Sequence, residues 1–309
     1  MIYTSTALRR YCRCPAYYYY ENELCADKEK APLFFQPSNA LLLGQAIHDG
    51  LAAMLNGEDY SKVLRQSEYN EDIIQHAIVL LEGKDFAEQQ QLLPTLDKVI
   101  EIEKELSVTA GSTIYAGKCD AIADYNGKLW IVEHKSSSFH LKQPEKYEKA
   151  IQSNMYIHMA RENGYDVGGI LINYIKTVGL QQRLKRQPET KQEYWERASN
   201  HVSDNLAEYF TFLEIPRSEA EVASIMADIG EIVSHINYCR DRNYFHRAPD
   251  ACNEYRRWCE FGDVCTGKYN EKLLSIRESP HPELNSGFLK SITKAKAKDK
   301  LRTDFSSPF

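Results

Sequence analysis

Asn126-Gly127, set between two runs rich in β-branched and apolar residues, is the feature that most restricts this chain. A type I′ hairpin turn needs positive φ at both central residues, and Asn-Gly is the pair that supplies it most readily. The turn sets the register of the two strands. Tyr125 falls opposite Lys128, Asp124 opposite Leu129, Ile122 opposite Ile131, and Asp120 opposite Glu133. Alternation puts Lys135 on the face of Glu133 and turns Trp130, Val132 and His134 to the other. Asp, Glu and Lys thus converge on one patch of a largely apolar sheet.

Like charges directly opposite each other destabilise a sheet, and apolar neighbours leave little water to screen them. A structural ion pair with Lys135 relieves one acid only. A hard divalent cation, Mg2+ or Mn2+, held by carboxylate oxygens and waters relieves both.

The other signals place this hairpin in an α/β chain. Helices are expected over 5–13, from Ser38-Asn39 to Gly57, over 70–82, from Pro144 to Asn163, and over 190–213 and 218–243. Strands are expected over Val99–Val108, Ile114–Tyr125, Leu129–His134 and Gly169–Lys176. The 309 residues suffice for one large body. A net charge of −6 offers no global attraction to a polyanion, so any contact with one must be local or bridged by cations. With no long apolar run and no signal-like start, the expected location is the cytoplasm, away from membranes.

Two helices flank the hairpin with further marks: Gly44 and His48 on the one before it, Gln152 and Tyr156, four apart on one helix face, on the one after it. Together with Asp120, Glu133 and Lys135 they resemble the PD-(D/E)XK nuclease superfamily in its RecB-like branch, which includes the AddAB nuclease domains, the CRISPR-adaptation iron-sulfur exonucleases and phage exonucleases. The resemblance implies a restriction-endonuclease-like core, a mixed central sheet flanked by helices. It implies a metal-dependent DNA exonuclease used in end processing or recombination, with Asp120, Glu133 and His48 as metal ligands. Lys135 is the implied catalytic charge, and Gln152 and Tyr156 orient phosphate or water. A fold kept for DNA binding without cleavage, as a recombination accessory protein, and an iron-sulfur protein with a redox or assembly role are the alternatives. DNA, as single strands or duplex ends, is the implied partner, beside a recombination or replication protein.

Eight cysteines are many for a reducing compartment and too few for a disulfide scaffold. Cys252, Cys259 and Cys265 lack the paired spacing of zinc ribbons. By resemblance they form a 4Fe-4S cluster with Cys14, which precedes Pro15; Cys12 in place of Cys14, and zinc in place of iron-sulfur, stay open. Cys25, Cys119 and Cys239 are expected as buried small residues.

The resulting organisation is an N-terminal segment (1–37) with a cluster cysteine, a nuclease core (38–180), a helical region (181–245), a cysteine-rich segment (246–280) and a basic tail (281–309). For local grip on DNA the candidates are Arg183, Lys185 and Arg186 within Lys176–Lys191, the lysines from Lys290 onward, and the tyrosines Tyr17 to Tyr20 as stacking surfaces. The tail also reads as a solvated terminus.

Overall fold

The computed structural model describes residues 1–26, 38–185, 187–256, 258–271 and 274–294. A short strand, β1 (Ile2–Tyr3), leads into α1 (Ser5–Arg13), α2 (Pro15–Tyr18) and a π-helical turn over Tyr19–Glu23. Three helices follow: α3 (Asn39–Leu55), α4 (Tyr60–Arg65) and α5 (Glu71–Gln89). Each starts on a side-chain cap, Ser38, Asp59 and Asn70 respectively, which accepts a backbone N–H of the first turn. Then come β2 (Lys98–Ala110), β3 (Thr113–Tyr125), β4 (Lys128–Ser137), α6 (Ile151–Glu162) and β5 (Val167–Lys176). The chain continues through α7 (Lys191–Asp204), α8 (Leu206–Tyr209), β6 (Phe210–Pro216), α9 (Glu219–Asp241) and α10 (Gly262–Cys265).

Among the described residues the sheet has six strands, in the order β1-β3-β4-β5-β6 with β2 also paired to β3. It is mixed: β3 is antiparallel to β2 and β4, β4 is parallel to β5, and β5 is antiparallel to β6. Its isoleucine face, Ile122, Ile131, Ile170 and Ile172, packs with Met155 and Ile157 of α6, and the same core takes in Ile229 and Val233 of α9 and Leu8 of α1. The opposite face is smaller in side chain, with Ala121, Ala123, Val132 and Leu171 around Trp130 and Leu55 of α3 packed on them. Beyond it α3, α5 and α7 share a second core built on Ile47, Leu51, Leu81 and Val202. No helix is long and apolar enough to cross a membrane, among the described residues.

The hairpin has the expected register from Tyr125–Lys128 to Ala121–Val132, and both turn residues have positive φ, 53° at Asn126 and 70° at Gly127. Two expected helices come out otherwise. Pro144–Tyr147 is a 3-10 turn, and α6 starts only at Ile151, because Ala150 is extended and the Asn154 side chain donates back to the carbonyls of Glu148 and Ala150. The 190–213 helix stops at Asp204. After Asn205 and the short α8, Phe210–Pro216 runs as a strand whose aromatic and β-branched residues suit the sheet edge beside β5.

Candidate active site

The site lies where two strands part. β2 accompanies β3 along its length, so β1 and β4 share the other edge of β3. On that edge β1 reaches Ile114 and Tyr115, and the ladder with β4 ends at Ala121–Val132. Beyond Val132, β4 stays with β5, pairing Glu133 with Ile172 and Lys135 with Tyr174. The direct pairing of Asp120 with Glu133 expected from the turn is therefore absent. Instead Asp120 Oδ2 accepts the backbone N–H of His134 at 2.6 Å, so the carboxylate fills the opening that the parting strands create.

Glu133 is buried, and one of its oxygens carries all of its contacts. Lys135 Nζ donates to Glu133 Oε1 at 2.6 Å, as same-face alternation requires. From α6, Gln152 Nε2 donates to that oxygen at 2.7 Å while Gln152 Oε1 accepts from Lys135 at 2.9 Å. Tyr156, one turn on, lies 3.4 Å from the Gln152 amide. Glu133 Oε2 is buried without a hydrogen-bond partner. Burial pushes the Glu133 carboxyl up to about 7, with Asp120 adding to the shift and Lys135 opposing it. Burial, with Glu133 next, raises the phenol of Tyr156.

His48 comes from α3 on the other side of the opening, with Nδ1 3.4 Å from Asp120 Oδ1. Burial lowers the His48 pKa, but the hydrogen bond and charge of Asp120 outweigh it and leave the pKa raised. For Asp120 burial works upward, and His48 and the His134 N–H bring the carboxyl well below its usual range. The His134 ring points away, as predicted, to Asn173 at 3.0 Å, and burial pushes it down to about 3. Gly44 brings α3 onto β4: a Cβ there would lie 3.3 Å from Ser136 Oγ.

The structure thus gathers His48, Asp120, Glu133, Lys135, Gln152 and Tyr156 at one opening. Among the described residues no three His, Cys, Asp or Glu side chains form a group that could hold a metal ion. The donor set nonetheless suits a hard cation, since it offers carboxylate oxygens, a histidine and, at Glu133 Oε2, a buried acceptor with nothing to accept from.

The cysteines divide differently. Cys14, Cys259 and Cys265 pack around Tyr17, Tyr20 and Phe261, and the Cys259 N–H donates to the Cys252 carbonyl at 2.8 Å. Burial pushes the Cys259 thiol up to about 11, and Cys252 is among the lesser causes. Cys12 is exposed and outside this group. Cys119 and Cys239 are buried as expected, but Cys25 is only partly so and has a positive φ of 54°.

The expected DNA contacts fare less well. Tyr17, Tyr18 and Tyr20 are buried, and Tyr19 stacks on Phe245, so these rings serve internal packing. Lys176 is paired with Glu208 and Lys191 with Asp72. Arg183 and Lys185 are exposed, as is Lys290, whereas Arg186, Lys296, Lys298, Lys300 and Arg302 lie outside the described residues.

Two participants carried no signal in the motif itself. The backbone N–H of His134 holds Asp120, a role no side-chain pattern reports. Gly117 lets Tyr156 reach the sheet, because a Cβ there would stand 2.5 Å from the Tyr156 ring.

The model of the PD-(D/E)XK nuclease superfamily matches residues 3–266, and the chain belongs to that superfamily. No curated protein matches it. Among solved structures it is similar to a candidate exonuclease from Eubacterium rectale, at 12% identity over 66% of this chain and 78% of that one, with a TM-score of 0.34. It is also similar to SSO0001, at 15% identity over 79% of this chain and 93% of that one, with a TM-score of 0.31.

Proposed function

We propose that the chain is a metal-dependent deoxyribonuclease of the RecB-like branch, acting as an exonuclease on DNA ends in end processing or recombination in the cytoplasm. Glu133 carries this reading. It is a buried carboxylate with one oxygen tied to Lys135 and Gln152 and the other unpartnered. That second oxygen lies at the opening that also holds Asp120 and His48, where a bound cation would give it a partner. The RecB-like assignment is supported by Gly44 and His48 before the hairpin and by Gln152 and Tyr156 after it, all at the same opening.

Asp120, Glu133 and His48 would hold Mg2+ or Mn2+. When bound, such an ion polarises a phosphoryl oxygen and acidifies a water. The chain's own residues provide the rest. Lys135 brings a compact positive charge to the mouth of the site, where it meets the charge that builds on a phosphate under attack. Gln152 fixes Lys135 and Glu133 relative to each other, and Tyr156 seats Gln152 against the core. His48 restrains the free side of Asp120.

In the same reading Cys14, Cys252, Cys259 and Cys265 ligate a 4Fe-4S cluster, with zinc as the alternative. The support is that Cys14, Cys259 and Cys265 pack on one aromatic cluster and that the Cys259 N–H donates to the Cys252 carbonyl. Nucleotide release from DNA labelled at 5′ or 3′ ends, single- and double-stranded, with Mg2+ or Mn2+, tests the activity. Release lost in Asp120→Ala supports the reading. Binding without release from any of these substrates assigns the chain to the non-cleaving accessory class.

A further inference from the structure

We propose that the cleft beside the catalytic strand is a nucleobase pocket, and that the substrate strand must present an unpaired base to it. This rests on the nuclease reading above and deepens it. The cleft has a volume of about 870 Å3, within the size range of small-molecule sites. Ser136, Ser137 and Ser138, which follow Lys135 along the chain, line it, as do Asn39, Ala40 and Leu43 of α3, the helix that carries His48, so the cleft is built on two of the elements that build the site. Its walls are the first turns of α3, α5 and α7.

The chemistry of the lining points to a neutral, planar ligand. Trp195 and Tyr194 stand on one wall with ring centroids 4.6 Å apart, and His76 lies 5.7 Å from Trp195. His76 Nε2 accepts the Val178 N–H at 3.0 Å, which makes Nδ1 the protonated nitrogen and a donor. The serines, Asn39, Thr177 and Gln182 add uncharged donors and acceptors. The charges at the mouth are matched: Asp72 pairs with Lys191 at 2.8 Å, and Glu71 lies 3.6 Å from Arg65. A phosphate would find no surplus of positive charge there, whereas a base would find a ring to lie on and hydrogen-bonding partners along its edge. A base within a duplex has both faces stacked and its pairing edge taken, so only an unpaired one can enter.

The test uses the whole chain in EDTA, where cleavage is not supported, and fluorescence anisotropy with three labelled probes of equal length. These are a mixed-sequence single strand, an abasic strand with the same phosphates, and a blunt duplex. The base-bearing strand should bind about tenfold or more tighter than the other two. Ala40 is exposed at the rim, and Ala40→Trp, which fills the cleft without touching the core, should collapse that difference. Trp195→Phe should keep it and Trp195→Leu should lose it. Equal binding of base-bearing and abasic strands by the natural protein overturns the pocket, as does a preference that survives Ala40→Trp. Metal-dependent hydrolysis of bis(p-nitrophenyl) phosphate, a diester without bases, reports separately on the nuclease reading.

Discussion

Gln152 holds Glu133 by one oxygen only: its Nε2 donates to Oε1 at 2.7 Å, and Oε2 stays bare in the buried opening. The amide thereby sets which edge of the carboxylate faces inward. Gln152→Ala should lower turnover about tenfold to a hundredfold, the usual cost of removing a partner that orients a ligand. Steady-state kinetics with Mn2+ should show the loss in kcat more than in KM, and an unchanged kcat would exclude this role.

Lys135 is partly exposed and shares Glu133 Oε1 with Gln152, which remains as a partner of that oxygen when the lysine is removed. Lys135→Ala should cut DNA release by about a hundredfold or more, as expected when a charge aimed at a developing anion is lost. Circular dichroism should not change. A fully active variant would remove the lysine from the reaction.

Gly117 lies where Tyr156 crosses β3. Gly117→Ala puts a methyl group 2.5 Å from the ring, and because Tyr156 is buried the ring cannot step aside freely. Urea unfolding should show a loss of about 1–3 kcal/mol, and activity should fall with it as Gln152 loses its seat.

His76 of α5 is kept neutral against Trp195 and the Val178 N–H, and burial pushes its pKa down to about 4. An unfolded histidine takes up its proton near pH 6.5, whereas the folded one resists until about pH 4. The stability that His76 contributes is therefore complete above pH 6.5 and lost as pH falls toward 4. The span is on the order of 3 kcal/mol. Urea midpoints measured across this window should fall less steeply for His76→Gln, which cannot titrate.

Cys14 packs with Cys259 and Cys265, and Cys12 does not. Protein purified without oxygen should be brown, and Cys14→Ser should be colourless while Cys12→Ser keeps the colour. A colourless natural protein carrying stoichiometric zinc would select the alternative metal.

Much of this arrangement is legible in the sequence. Asn126-Gly127 has a strict backbone requirement, so the hairpin and its register followed from it. His48, Gln152 and Tyr156 come from the resemblance to the RecB-like branch, and spacing adds only that Gln152 and Tyr156 share a helix face. What escaped depends on partners remote in sequence. The turn alone cannot reveal that β4 leaves β3 after Val132, since the cause is the parallel pairing of Glu133 through Ser137 with β5. Phe210–Pro216 carries too short an apolar run to separate a strand from a helix end, and β5 decides the matter. Tyr17 to Tyr20 read as a surface because composition does not show that Phe245 and Phe261 cover them.

The two ends of the core are fastened by the polypeptide itself. Ala26 bridges to Ile276, the Arg277 N–H donates to the Cys25 carbonyl at 2.7 Å, Arg277 and Arg10 both meet the buried Glu21, and Thr4 donates to Glu283 at 2.6 Å. The first helices are thus completed by residues far along the chain. Glu21 has Arg277 as a second cationic partner only when residues 256 positions apart are in place together, so the first segment and the stretch around Arg277 reach their final state as one unit.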